Sequence, residues 1–270
     1  MTTKEKRDPF LVEGPALISF SGGRTSGYML RRVLDAGLQP DVHIVFANTG
    51  KERLETLDFV RDCAVNWGVP VRWVERRETG FVEVTHESAS RNGEPFAALV
   101  TKRKFLPNPV TRFCTQELKI RVMRDFMKAQ GFETWTNIVG IRADEPRRVA
   151  RMRAPHRDRW ENEIPLADAG VTEADVLAFW KKQPFDLGLR TWEGNCDLCF
   201  LKGGLKKERI ILERPDLATW WIEQEARMKA TFRADSPSYA RMLDTVTRQV
   251  RLPIAMAEEM DDLGDCVCHD

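Results

Sequence analysis

The side chains of this 270-residue chain with the most chemistry to offer are its cysteines, a glycine-rich turn and a run of arginines. Cys196-Asp-Leu-Cys199 lies between Gly194 and Gly203-Gly204. That spacing lets two thiolates face one metal centre, or form a dithiol. Cys114 stands at the start of a helical pattern, where the helix dipole favours a thiolate. Cys266 and Cys268 lie in the terminal Asp265-Cys-Val-Cys-His269. Nucleophilic thiols on a tail suit chemistry that opens and closes around a substrate, while acidic neighbours such as Asp265 raise a thiol pKa. Cys63 falls on the apolar face of an expected helix and reads as core packing.

Phosphate chemistry is suggested by Ser21-Gly-Gly-Arg-Thr-Ser26. Glycines let the backbone approach an anion, a following helix start aims free N–H groups at it, and Ser21, Thr25 and Ser26 add hydroxyls. The stretch lacks the Gly-Lys-Ser/Thr ending of a nucleoside-triphosphate P-loop. Seven arginines fall between Arg142 and Arg159. Arg142, Arg147 and Arg148 can bind phosphate or sulfate oxygens bidentately. Arg151, Arg153, Arg157 and Arg159 read either as a solvated face or as a patch that steers RNA or DNA.

Short buried strands must position these groups. Ala16 to Phe20 reads as a parallel strand that runs into the glycine-rich turn, and helical spacing of Tyr28, Met29, Val33 and Leu34 follows, up to Gly37. Asp41 to Ala47 is a second strand, delivering Asn48-Thr49-Gly50 to the ligand crevice. A helix over 52–67 and a strand over 71–74 complete a second βαβ unit. Residues 78–109 have weak periodicity and read as a loop-rich insertion, either a lid or a surface excursion. A helix is expected over 115–130, ended by Gly131, and a fourth strand over 134–139. Thr172 and Asp175 form a capping-box start to a helix ending near Trp180, and residues 205–260 read as helices. The expected fold is α/β: an open, doubly wound, mostly parallel Rossmann-like sheet. Residues 1–190 form its nucleotide-binding domain, and 191–270 hold the Cys-x-x-Cys segment and a helical C-terminal extension with a cysteine tail.

Hydrophobic content of 42%, charged content of 31% and a net charge of +1 fit a soluble enzyme without a global field for nucleic acid or membrane. The polar start is no signal peptide and no stretch is apolar enough to span a bilayer, so the expectation is a cytoplasmic protein with no membrane partner. In that compartment cysteines point to metal or redox chemistry rather than structural disulfides.

Four segments in order, SGGRTS, NTGKERLET, GIRADEPRR and GNCDLC, resemble the adenine-nucleotide alpha-hydrolase superfamily and its phosphoadenosine phosphosulfate (PAPS) reductase-like family. The first is similar to the pyrophosphate (PP) loop SGGxDS, with Thr25 at the Asp position. The second is similar to DTGxxxxET, with Asn48 for Asp. The third follows GxRxxESxxR, with Pro146 for Ser. The resemblance implies nucleotide contacts from Ser21, Gly22, Gly23, Arg24, Thr25, Ser26, Asn48, Thr49, Gly50, Gly140, Arg142, Glu145 and Arg148. It further implies a [4Fe–4S] cluster on Cys114, Cys196 and Cys199, with zinc as the alternative. Asp265–His269 is similar to the reductases' terminal ECGxH, which implies Cys266 as nucleophile and Cys268 or a thioredoxin-like partner as the second thiol. Cys114-Thr-Gln-Glu-Leu-Lys119 also resembles C-T-x-x-L-K of ATP-pyrophosphatase-type sulfur transferases, which would use ATP, with magnesium, on a nucleic acid or metabolite. A third reading is a non-catalytic nucleotide-binding module with a structural zinc.

Overall fold

Alternating apolar runs and amphipathic stretches give a chain that winds strand, helix, strand from its first ordered segment onward. The computed structural model describes residues 7–155 and 158–248. In order these form β1 (Ala16–Ser19), α1 (Arg24–Ala36), β2 (Val42–Asn48), α2 (Leu54–Trp67), β3 (Val71–Arg76) and β4 (Phe81–Val84). Next come α3 (Glu94–Arg103), α4 (Phe113–Thr115), a π-helical turn (Gln116–Ile120), α5 (Arg121–Ala129), β5 (Trp135–Val139), α6 (Pro146–Arg153) and β6 (Trp160–Glu163). Then follow α7 (Pro165–Asp168), α8 (Glu173–Trp180), α9 (Gly204–Glu213), a 3-10 turn (Pro215–Leu217), α10 (Ala218–Met228) and α11 (Tyr239–Arg248).

The strands form one six-stranded sheet in the order β4-β3-β2-β1-β5-β6. All neighbours pair in parallel except β3 and β4, which are antiparallel. The winding reverses at β1, which lies between β2 and β5. Loops leaving β1 and β5 diverge there and open the crevice in which ligands of such sheets bind.

Alternation along β1 builds both layers. Ala16, Ile18 and Phe20 enter a core with Met29, Leu57, Phe59, Val60, buried Cys63 and Trp180. Leu17 faces the other side, with Val45, Val122 and Phe126. A third core joins Phe96, Leu99, Phe113 and Leu118 to Leu198, Ile210, Trp221 and Tyr239. It draws on both sides of residue 190, so the 94–118 region packs with the C-terminal helices.

Residues 78–109 differ from the loop-rich insertion expected of them. They contain the edge strand β4 and the helix α3. The strand is only four residues long with both middle residues exposed, so it has little period to read. α3 buries Pro95, Phe96, Leu99 and Val100, but glycine and proline at its borders mask that spacing. The helix expected over 115–130 starts slightly earlier, at Phe113, and is interrupted by the π turn. The capping box of α8 is present, with both Thr172 groups on Asp175.

Candidate functional site

The turn after β1 is held open from within. Ser26 Oγ lies 2.8 Å from Ser21 Oγ and donates to Gly23 O at 3.0 Å. Gly22 has φ of +78°, and a Cβ there would stand 2.7 Å from Thr56 Cγ2, so only glycine fits. A Cβ on Gly140 would meet Ser26 Cα at 3.0 Å, so a bare backbone lets the end of β5 close on the start of α1. Trp180 Nε1 donates to Arg24 O at 2.8 Å, fixing the first turn of that helix.

Two cavities meet at Ser21, Ser26 and Gly140. One, of about 130 Å³, carries Arg142, Arg148 and Arg190 opposite the turn. Arg142 donates through Nη1 to Thr25 Oγ1 at 3.3 Å and through Nε to Asp144 at 2.9 Å. Burial disfavours its charge, but Glu145, Asp144 and Glu173 outweigh that and raise its pKa above the ordinary value. Glu145 also pairs with Arg148 and accepts from the Arg142 backbone N–H at 2.9 Å. Two guanidiniums are thus held on the cavity wall by carboxylates. The other cavity, of about 300 Å³, runs down the sheet face from Ser19 and Ala47 to Asn137 and Trp160, under the π turn and α5.

Cys114, Cys196 and Cys199 line a third, smaller cavity of about 40 Å³ with Arg112, Thr115 and Lys119. Thr115 and Lys119 also line the 300 Å³ cavity, so the π turn forms the partition between the two. Single π turns often occur at functional sites. Burial, and then the neighbouring Cys199, pushes the Cys114 thiol up to about 11, against the pull of Lys119 and Arg112. Burial, followed by Cys199, also holds the Tyr239 hydroxyl well above its ordinary pKa.

The Cys-x-x-Cys hairpin is clamped to the end of β2. Glu52 and Cys196 form an antiparallel bridge. Arg53 N donates to Asn195 O at 2.7 Å and Asp197 N to Lys51 O at 2.9 Å. Lys51 Nζ pairs with Asp197 at 2.7 Å, both side chains about 95% buried. Asp197 also accepts from Trp221 Nε1 at 2.8 Å. Lys202 donates to the carbonyls of Cys196 and Asp197, and Tyr239 to that of Leu198 at 2.6 Å. Asn195 Nδ2 donates to Ser21 O at 2.9 Å, which ties the hairpin to the phosphate-type turn.

The expected residues therefore separate into groups. Ser21, Gly23, Thr25, Ser26, Gly140, Arg142, Glu145 and Arg148 gather round the 130 Å³ cavity. Arg24 borders it too, but its guanidinium is engaged by Asp186, with Nε 2.7 Å from the carboxylate. Asn48 lies away from the turn: its amide donates to Glu75 at 2.6 Å and to Ser90 O at 2.8 Å. Thr49 holds Glu52 through its N–H and hydroxyl, and Gly50 accepts from Gly93 N. The Asn48–Gly50 corner supports the cysteine hairpin. Cys266, Cys268, His269 and Arg157 lie outside the described residues.

Sequence reasoning missed Lys51, Lys119, Arg190 and Asn195. Only Lys119 had a signal, the Lys of its C-T-x-x-L-K segment.

As the side chains stand, no group of three or more His, Cys, Asp or Glu among the described residues is arranged to hold a metal ion. The three thiols nonetheless share one cavity whose flanking cations oppose negative charge. Soft sulfur donors of this kind are those that iron–sulfur clusters and zinc take, and Lys119 beside them pairs with Glu52 at 3.4 Å. No helix among the described residues is long and apolar enough to cross a membrane.

The family model for the phosphoadenosine phosphosulfate reductase domain matches residues 15–186. An uncharacterised nin region protein of Escherichia phage lambda is 32% identical over 213 residues, covering 70% of this chain and 67% of that protein. An uncharacterised protein of Methanocaldococcus jannaschii is 26% identical over 179 residues, covering 65% of this chain and 33% of its own length.

Proposed function

The chain belongs to the phosphoadenosine phosphosulfate reductase domain family, and on that premise we propose that it is an adenine-nucleotide enzyme that cleaves a sulfonucleotide by cysteine chemistry beside an iron–sulfur cluster. The observation that carries this reading is the shared wall. One 300 Å³ cavity touches the Ser21–Ser26 turn at one end and, through Thr115 and Lys119, the pocket of Cys114, Cys196 and Cys199.

In this reading the amides at the start of α1 hold the nucleotide phosphates, and Arg142 and Arg148 bind the terminal anion. The Arg142 guanidinium is set in place by Asp144 and Thr25 and that of Arg148 by Glu145 before ligand arrives, so little reorganisation is needed as charge develops on the leaving phosphate. Cys114, Cys196 and Cys199 would hold the cluster, which would supply redox capacity when bound. The Cys266 thiolate would attack the sulfonucleotide sulfur: an S–S bond forms, the S–O bond breaks and the nucleotide phosphate leaves. A second thiol, from Cys268 or a thioredoxin-like protein, would take the Cys266 sulfur as a disulfide and release sulfite. Two thiols are oxidised and one sulfonyl sulfur is reduced. The roles of Cys266 and Cys268 rest on the resemblance of the terminal segment to ECGxH.

The test is sulfite release from PAPS by anaerobically prepared protein supplied with a thiol reductant. Activity lost on Cys266→Ser supports the proposal. Pyrophosphate release from ATP dependent on a nucleic acid acceptor would contradict it and favour sulfur transfer, with the Arg142–Arg159 stretch as the docking patch. Neither activity, with zinc in place of iron, would leave a nucleotide-binding module.

A further inference from the structure

The inner half of the 300 Å³ cavity has a wall that the phosphate site does not explain. β5 and β6 pair in parallel with Trp135 opposite Trp160 and Asn137 opposite Asn162. All four line the cavity. The indoles stack at 5.3 Å between centroids with 22° between planes. Asn137 Nδ2 donates to Asn162 Oδ1 at 3.0 Å. Two half-buried carboxamides thus sit in mid-strand on a sheet face otherwise packed with Leu17, Val45 and Val122. Two polar groups there have unmet capacity. Trp135 Nε1 is buried with no hydrogen-bond partner. Asn137 commits its nitrogen to Asn162, which leaves its oxygen as the acceptor open to an occupant.

We propose that the Asn137–Asn162 pair reads the edge of the nucleobase and selects adenine over 6-oxopurines. This rests on the nucleotide-site reading above. With its nitrogen on the Asn162 oxygen, Asn137 presents an acceptor, and it becomes a donor only if both carboxamides turn together or the pair is broken. Adenine offers the 6-amino donor to match it, whereas hypoxanthine and guanine place an oxygen there. Trp135 and Trp160 form the flat apolar side of the same pocket, and the indole N–H supplies one donor for a ring nitrogen. Asn137 is thus the base contact and Asn162 the positioning residue.

Calorimetric titration of the full-length, anaerobically prepared protein with AMP, IMP and inorganic pyrophosphate tests this. The expected wild-type preference for AMP over IMP is about tenfold, the low end of what a base-edge contact discriminates, because Asn137 offers a single acceptor. Asn137→Leu should abolish the preference and leave pyrophosphate binding unchanged. Asn162→Leu frees the amide to turn, so IMP should gain on AMP while Asn137 still binds. Asn162→Asp keeps an oxygen acceptor and should keep the preference, which separates positioning from a general loss of packing. Equal wild-type binding of AMP and IMP, or a preference untouched by Asn137→Leu, overturns the inference alone if pyrophosphate still binds. Failure of all three ligands to bind overturns the nucleotide-site reading as well.

Discussion

Lys51 and Asp197 are a pair of charges removed from water, and their geometry defines what each is for. Asp197 takes hydrogen bonds from Trp221 and from its own loop, yet its charge is balanced by Lys51 at 2.7 Å. Lys51→Met strands a buried carboxylate, so the expected loss is about 3–5 kcal/mol, read as a lowered urea midpoint. A Lys51→Met/Asp197→Asn double variant should recover much of it, because no lone charge remains. Cys114 makes a pH prediction. Its thiol rises from 9.0 to about 11 in the folded protein. The native state therefore holds this proton while the unfolded chain releases it. The metal-free protein keeps the full benefit below pH 9 and loses it as pH climbs through the interval to about 11. A denaturation series from pH 8 to about 11 should show stability falling, and Cys114→Ala should flatten that slope.

Turns and hairpins, rather than single groups, bring the site together. Gly22→Ala forces a side chain into left-handed backbone against Thr56. It should cost about 1–3 kcal/mol and weaken pyrophosphate binding, measured by melting and by titration. Asn195→Ala removes the tie from the cysteine hairpin to Ser21 O. It should weaken nucleotide binding several-fold while leaving iron content intact, because the thiols remain seated by the Glu52–Cys196 bridge. The strand–turn–helix around Ser21–Ser26 was legible because glycines and an apolar run announce it locally. The end of β5 was legible too, since Val139-Gly140 delivers Arg142 to the crevice. The clamp of Lys51, Arg53 and Asn195 was not, because it joins segments about 140 residues apart through backbone bonds that leave no residue pattern. Asn48 shows the same limit. Its position in the motif was readable, but its engagement by Glu75 and Ser90 depends on how β3 and the loop after β4 pack beside it. β4 and α3 were hidden by short length and by glycine and proline at their ends.

Across the molecule, loops leaving β1 and β5 supply the Ser21–Ser26 turn and Arg142, while the start of α4 and the irregular segment before α9 supply the thiols. The third core binds these parts, since Phe96, Phe113 and Leu118 of the first half pack on Leu198, Trp221 and Tyr239 of the second. Separate folding of the two halves would leave that surface bare. The family assignment covers residues 15–186 and stops short of Cys196 and Cys199, so the hairpin's placement comes from the fold and not from that match. On the proposed reading, three thiols distant in sequence jointly hold an iron–sulfur cluster beside the 300 Å³ cavity. Iron and acid-labile sulfide should be measured on anaerobically prepared wild type and on Cys114→Ser. Iron and sulfide in equal amounts are expected in the wild type, with loss of both in the variant. A Cys114→Ser protein that is folded and keeps its full metal content would contradict it.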